Sequence, residues 1–272
     1  MKKSFINFWN RSIALVKLGI LSNIEYRFNF LVDVVFQPFI ASLIEWLLWW
    51  AIFTSSGSPT IMGYDLPHYL AYSLWATFFA RITINWMYEF KMISDIVEGK
   101  LNIYLSRPIS FYEYYWNQFF GYKVVCLVVS FCFPMTIHIL FLKNFEFWRL
   151  PLSLMMVLYY LLFSYTLSFC VATLSLKFSR IYSITVAKNI AISILDGSFI
   201  PLDLFKSPWR GLLTMLPFAC GGFYPAGFLA GRVSVHQMAM GFLSITVSLF
   251  FVSILAHYLW TRSLKLYTGT GA

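Results

Sequence analysis

The chain has 272 residues, of which 60% are hydrophobic and only 11% are charged. With a mean hydropathy of +0.71, it has too little polar surface to cover a soluble globule, so a polytopic, all-α membrane protein is predicted. The formal net charge of +9 comes from Lys and Arg residues scattered between apolar runs, which argues against a nucleic-acid surface.

A basic, amphipathic stretch begins the chain. Trp9, Ile13 and Val16 recur on one helical stripe, while basic residues such as Lys17 lie elsewhere. This pattern predicts a helix within residues 1–27 that lies in the membrane interface, with its apolar side toward lipid. No compact apolar core with a small-residue cleavage site follows, so we expect no cleaved signal peptide.

Six apolar stretches reach the length of about 20 residues that a membrane-spanning helix needs. They cover residues 28–53, 66–90, 117–142, 151–176, 182–200 and 237–260. The whole chain, residues 1–272, is therefore predicted to form one transmembrane domain with six spans. Spans 1 and 2 fall within 28–90, spans 3 to 5 within 117–200, and span 6 with a tail within 237–272.

The basic residues predict the orientation of these spans. With the amino terminus inside the cell, 14 Lys and Arg residues fall on the cytoplasmic side and 5 on the outside, and Arg81 lies within a span. The excess of positive charge on inner loops predicts that both termini are cytoplasmic, as an even number of crossings requires.

The longest charged segment on the predicted inner side covers residues 91–112. Its apolar residues recur at helical spacing, which predicts a short amphipathic helix that stops at Gly99, before Pro108 ends the following turn. One interpretation is a contact for a soluble partner, and the other is a solvated connector between spans. The candidate contact residues are Ile93, Asp95, Ile96, Val97, Glu98, Gly99, Leu101, Arg107 and Pro108.

The informative charged residues within the first two predicted spans are Asp33, Glu45 and Arg81. A charge that faces lipid costs about 2.5 to 3.5 kcal/mol on insertion scales, so each is expected to face protein or water. Arg81 falls between the depths of Asp33 and Glu45 on an antiparallel helix. A structural ion pair, a role in a substrate path and simple snorkelling all remain open.

Residues 201–235 are too rich in Pro and Gly for one continuous helix. Broken backbone at membrane depth persists only where protein or a water-filled cavity satisfies it, so we predict an outer-leaflet re-entrant helical hairpin that covers a pathway. The residues that define it are Gly197, Pro201, Pro208, Pro217, Pro225 and Gly231.

The sequence contains no pattern typical of a catalytic or metal centre. It has no nucleotide-binding P-loop and no H-E-x-x-H motif, and its four cysteines include no C-x-x-C pair. We therefore expect no enzyme activity and no cofactor or metal bound by this chain.

Taken in order, these elements resemble the membrane subunit of a type-2 ABC exporter, in particular the short six-span permeases of the ABC-2 family. In the 91–112 segment the resemblance is carried by Gly99, Leu101, Arg107, Pro108 and Ile109. Asn102 departs from the family pattern, which often has Asp there. In the predicted hairpin it is carried by Gly197, Ile200, Pro201, Pro217, Phe218, Pro225 and Gly231.

This resemblance implies a complex of two permeases, identical or different, with two copies of a P-loop ATPase that bind ATP and Mg²⁺. It further implies a bacterial or archaeal cytoplasmic membrane and outward transport of an amphipathic substrate such as a drug, lipid, peptide or glycolipid. Ile93, Ile96 and Val97 would seat in an ATPase groove, with Asp95 and Glu98 at its rim. The alternative is a secondary transporter or channel that uses Arg81 with Asp33 or Glu45.

Overall fold

The structure, a computed structural model, describes residues 2–25, 27–106, 108–142, 145–178, 181–265 and 267. Within these residues the chain is helical apart from its connections and forms no β-strand. The first half contains α1 (Lys2–Glu25), α2 (Arg27–Leu31), α3 (Gln37–Ser56), α4 (Leu66–Thr83), α5 (Trp86–Val97) and α6 (Leu101–Leu105). The second half contains α7 (Phe111–Ile137), α8 (Arg149–Leu174), α9 (Tyr182–Leu195), α10 (Trp209–Met215), α11 (Phe223–Leu229) and α12 (Val235–Leu264).

Two π-helical turns extend the long helices. One, Val32–Phe36, joins α2 to α3, and the other, His138–Leu142, follows α7 directly after the turn that contains Pro134. Pro134 removes one hydrogen bond to the turn before it and crowds that turn, and the helix continues beyond it into the π-helical turn. Both stretches therefore continue as single long helices.

Side-chain caps define where the main helices begin. The Asp65 carboxylate accepts a hydrogen bond from the His68 backbone N–H at the start of α4. The His68 ring also bonds this carboxylate, and that bond lowers the pKa of Asp65. Ser110 and Glu113 form a capping box at the start of α7, each satisfying a backbone N–H of the other.

Four described helical stretches are long and apolar enough to cross a membrane. They are Arg27–Ser56, Phe111–Leu142, Arg149–Leu174 and Val235–Leu264, and they correspond to predicted spans 1, 3, 4 and 6. The confirmed fold class is therefore an all-helical, multi-pass membrane protein. The sequence predicts six spans, whereas four helical stretches of the described residues have the length and apolar character of a span.

The two remaining predicted spans are shorter or more polar than the sequence pattern indicated. Predicted span 2 (66–90) is not one helix, because α4 ends at Thr83 and a new helix, α5, begins at Trp86. Predicted span 5 (182–200) is helical only over the 14 residues of α9, or about 21 Å at 1.5 Å per residue. That length falls short of a hydrocarbon core of about 30 Å.

The helices are arranged around α8, which is the most buried of the four long helices. It packs against α4, α5, α11 and α12, while α7 lies between α1 and α4, and α3 lies against α4. In α1 the Gly19 backbone crosses α7 at Gly121, so closely that a Cβ on either glycine would come within 3.0 Å of the facing backbone. The predicted interfacial helix is thus also packed against a spanning helix.

Candidate functional site

The first part of the 91–112 segment belongs to an amphipathic helix, as predicted, and this helix starts before residue 91. It is α5, which begins at Trp86 rather than near residue 90 and ends at Val97. Gly99 follows with φ +73°, a left-handed conformation that favours glycine at the end of a helix. The Tyr267 hydroxyl donates a hydrogen bond of 3.1 Å to the Gly99 carbonyl, so residues near the carboxyl terminus hold this turn.

Asp95 lies inside the segment rather than at an outer rim. It is 8% exposed, and its Oδ2 accepts hydrogen bonds from the hydroxyls of Tyr104, at 2.7 Å, and of Tyr115. Burial raises the pKa of Tyr104, and the bond to the Asp95 carboxylate raises it further, so this phenol stays a donor. The three side chains fasten α5 to α6 and to the start of α7.

Ile93 and Ile96 also face the interior of the chain. They are 1% and 4% exposed, and Leu101 is fully buried, so all three belong to the hydrophobic core. This corrects the sequence prediction for Ile93, Ile96 and Asp95, because surface that is already buried within the chain is not available to a partner's groove. The amphipathic pattern was recognised, but the buried face was assigned to the partner.

The exposed surface of the segment consists of other residues. Glu98 and Lys100 lie fully outside the core and form an exposed ion pair of 2.6 Å. Hydrogen bonds from Lys100 and then Ser94 lower the pKa of Glu98. On α6, Ile103 and Leu105 are 47% and 49% exposed.

The remaining candidates lie around the end of α6. Val97 is half-buried against the core, and Pro108 is exposed, with its carbonyl bonded by the Arg11 guanidinium of α1. Arg107 lies outside the described residues. The middle of α1 is therefore in contact with the end of the 91–112 segment.

A buried ion pair connects α5 to the rest of the bundle, and sequence reasoning missed it. Glu89, in the first turn of α5, is 0% exposed, and its Oε2 accepts hydrogen bonds from Lys188 Nζ at 2.5 Å and Ser168 Oγ at 2.7 Å. Lys188 belongs to α9 and Ser168 to α8, and Lys188 Nζ also donates to Ser168 Oγ at 3.1 Å. Lys188 is one of the 14 basic residues that the charge pattern places on the cytoplasmic side, and the signal for the pair was an acidic residue, Glu89, among the apolar residues of α5.

The structure decides between the two partners proposed for Arg81. Its guanidinium forms a salt bridge of 2.7 Å with Asp33, and Glu45 has no ion-pair partner among the described side chains. The pair is only partly shielded, because the side chains are 22% (Arg81) and 51% (Asp33) exposed. Arg81 is therefore paired with the π-helical turn that contains Asp33.

Two cavities meet at Arg81. The Arg81–Lys123 cavity, of about 320 Å³, is lined by Asp33, Arg81, Asn85, Tyr122 and Lys123, with Ile84, Trp86 and Met87 among its apolar residues. The Glu45 cavity, of about 230 Å³, is lined by Gln37, Glu45, Thr77, Ser198 and Phe199. Arg81 and Ile84 contribute to both. Charged side chains thus line two neighbouring cavities beside the break between α4 and α5.

The predicted hairpin, residues 201–235, lies at the opposite end of α4 and is held there by a buried ion pair. Arg232 Nη2 lies 2.9 Å from both carboxylate oxygens of Asp203, and the Arg232 side chain is 0% exposed. The guanidinium also lies 3.9 Å from the ring centre of Tyr69. A desolvated, fully surrounded cation of this kind fixes geometry rather than binding a mobile ligand.

The Pro and Gly residues of the hairpin lie where its backbone changes direction. Pro201 precedes a 3₁₀ turn, Pro208 precedes α10, Pro217 begins a second 3₁₀ turn, and Gly231 follows α11. Pro225 lies within α11, whose seven residues are all buried.

Gly197 lies just before this stretch, and its carbonyl accepts a hydrogen bond of 2.5 Å from the Tyr72 hydroxyl of α4. In contrast to α11, α10 has no buried residue, and only Leu213 and Thr214 on it are partly buried, so only one of the two short helices is enclosed by the bundle.

These features define a class of protein, a multi-pass helical membrane protein. At one end it has the broken, partly buried stretch 201–235, and at the other it has the helix α5, which is bonded to α7, α8 and α9. The sequence model of the family described as "ABC-2 family transporter protein" matches residues 39–271. The chain belongs to this family, and it is therefore a membrane component of a transporter, not a catalytic enzyme, with an implied ATP-binding partner. No curated protein matched the chain in the comparison.

Proposed function

We propose that the chain is the permease subunit of an ABC exporter in a bacterial or archaeal cytoplasmic membrane, with both termini in the cytoplasm. Two separate P-loop ATPases would bind ATP and Mg²⁺, and a second permease, identical or related, would complete the pathway. The substrate is an amphipathic molecule such as a drug, lipid, peptide or glycolipid. This chain contributes the pathway wall and the element that receives the ATPase motion.

The observation that carries this proposal is the attachment of α5. The helix is separated from α4 at Ile84 and Asn85, yet Glu89 ties it to α8 and α9 through Ser168 and Lys188. A displacement of α5 is therefore transmitted to two further helices instead of being absorbed by a flexible loop. Such a rigid connection is what a ligand-driven motion needs to bias a two-state helix packing.

The surface that would receive the ATPase is the exposed part of the 91–112 segment. Ile103 and Leu105 give it two apolar side chains, and Glu98 and Lys100 give it a mixed charged rim. Apolar anchors inside a polar rim are the usual composition of a protein interface. The buried face of α5, with Ile93 and Ile96, would transmit the motion into the core.

The pathway would run past the two cavities that meet at Arg81. Outward release would pass the 201–235 hairpin, which we place in the outer leaflet as a re-entrant lid. Its exposed helix α10 supports a position facing lipid or a second permease, because Trp209, Leu212 and Met215 are 64%, 56% and 70% exposed.

One observation favours the alternative, a secondary transporter or channel. Glu45 lies in the span α3, borders a cavity and has no ion-pair partner among the described side chains. An intramembrane carboxylate of this kind is a default candidate for an ion site. Transport by the chain without an ATPase, abolished by Glu45→Gln, would favour this alternative.

The deciding experiment is co-purification of the full chain with an ABC ATPase from its own genome, followed by ATPase assays in nanodiscs. We expect a stable complex, and we expect Leu105→Asp to abolish its substrate-stimulated ATP hydrolysis, because a charge would replace an apolar anchor. Phe147→Asp is the matched control, since Phe147 is 62% exposed but lies in the connection between α7 and α8 at the far end of α7. Normal stimulation in Leu105→Asp would remove the proposed contact.

A further inference from the structure

Lys123 carries a buried charge that the chain itself does not neutralise. It lies in the middle of α7, is 3% exposed, and its Nζ donates a hydrogen bond of 2.5 Å to the Ile84 carbonyl. The rings of Tyr122 and Phe119 lie 5.4 and 5.6 Å from Nζ. Among the described residues, no carboxylate lies within salt-bridge distance of Lys123.

The neighbouring charges do not supply the missing partner. Asp33 is engaged by Arg81 at 2.7 Å, so the Arg81–Lys123 cavity has two cations and one carboxylate on its wall. Unpaired charges in a low-dielectric environment are costly, and an opposite charge brought to them is correspondingly attracted. The cavity is therefore suited to an anionic group.

The mouth of the cavity indicates what kind of molecule carries that group. Met87, Ile84 and Trp86 are 57%, 40% and 36% exposed beside it, so the polar interior has an apolar rim. A volume of about 320 Å³ accommodates a headgroup but not the chains of a lipid. A molecule that fits both parts has an anionic head and an apolar tail that leaves across this rim.

We propose that the Arg81–Lys123 cavity binds the phosphate headgroup of an anionic membrane lipid, with its acyl chains lying over Met87 and Trp86. Lys123 is the principal charge partner, and Tyr122, on the same wall, supplies a hydroxyl. Basic pockets between membrane helices are known to hold such headgroups. Free phosphate carries negative charge, as the lipid headgroup does, but it has no apolar part that would contact the apolar rim of the cavity. The proposal does not depend on any ATPase partner.

The test is native mass spectrometry of the full-length chain released from nanodiscs that contain equal amounts of phosphatidylglycerol and phosphatidylcholine. We expect preferential retention of phosphatidylglycerol, reduced roughly fivefold or more by Lys123→Met, since one basic residue near the headgroup contributes on that order. Lys123→Arg should retain the preference. Lys177→Met is the matched control, because Lys177 is exposed and does not line the cavity.

A second variant tests the site without removing its charge. Met87→Trp enlarges an exposed rim residue, and we expect it to lower phosphatidylglycerol retention while the protein remains folded. A parallel titration with inorganic phosphate should not displace the lipid. Equal retention of both lipids by the native chain, an unchanged preference in both Lys123→Met and Met87→Trp, or displacement by phosphate alone would overturn the proposal.

Discussion

Lys188 Nζ and Glu89 Oε2 lie 2.5 Å apart and join α9 to the first turn of α5, with the carboxylate wholly removed from solvent. The two residues are separated by 99 positions in sequence, and neither lies in a recognisable motif. Because of this pair, α5 is bonded to the helical bundle and is not merely a helix within a connecting loop.

Removing one partner of this pair is expected to be costly. In Glu89→Gln the Lys188 ammonium loses its counter-charge in a buried site, and we expect a loss of about 3 kcal/mol or more in the free energy of unfolding. Thermal unfolding in detergent measures it. The control is Glu98→Gln on the same segment, where the ion pair with Lys100 is exposed and no measurable loss is expected.

The double variant Glu89→Met with Lys188→Met separates charge from packing. Two buried apolar side chains of similar size often replace an ion pair without loss, so we expect stability close to that of the native chain. A double variant as unstable as the single one would show that the pair acts through its hydrogen bonds to Ser168 rather than through charge balance.

The second prediction concerns the ion pair that holds the hairpin. Arg232→Met leaves the Asp203 carboxylate buried without its cation, so we expect faster hydrogen exchange across residues 201–235 and little change in α7. Hydrogen–deuterium exchange with mass spectrometry measures both regions. Arg210→Met is the matched control, because Arg210 is exposed on α10, and exchange equal to that control would contradict the anchoring role.

The third prediction concerns the crossing of α1 and α7. A methyl group on Gly19 or Gly121 would meet facing backbone, which has little freedom to move, so Gly19→Ala and Gly121→Ala should each cost about 1 to 3 kcal/mol. Gly211→Ala adds the same methyl group in open space on α10 and should not destabilise the protein. Thermal unfolding of the three variants side by side decides the matter.

The fourth prediction separates structure from transport at Arg81. Because the pair lies within the first two predicted spans, Arg81→Met leaves Asp33 and Asp33→Asn leaves Arg81 as an unpaired intramembrane charge, and each should cost about 2.5 to 3.5 kcal/mol. The exchanged pair, Asp33→Arg with Arg81→Asp, should recover that loss. If stability is unchanged in Arg81→Met while transport is abolished, Arg81 acts on the substrate path rather than as a structural partner.

The sequence alone determined the class of this protein and the nature of its parts. Apolar stretches long enough to span a bilayer, the amphipathic helix that ends at Gly99 and the Pro- and Gly-rich stretch at 201–235 are all local patterns. Local patterns report on propensity and length, and these were sufficient to reach the membrane class and the family resemblance.

Only the tertiary structure decided which surfaces are free and which charges are paired. Periodicity identified an apolar face on α5 but not its neighbour, and Ile93 and Ile96 pack into the chain's own core. Likewise, Glu89 pairs with Lys188 of α9, and Arg232 pairs with Asp203. Both contacts depend on how segments distant in sequence are placed in space. Pairing energies act through space, so a one-dimensional pattern records that a charge exists but not what faces it.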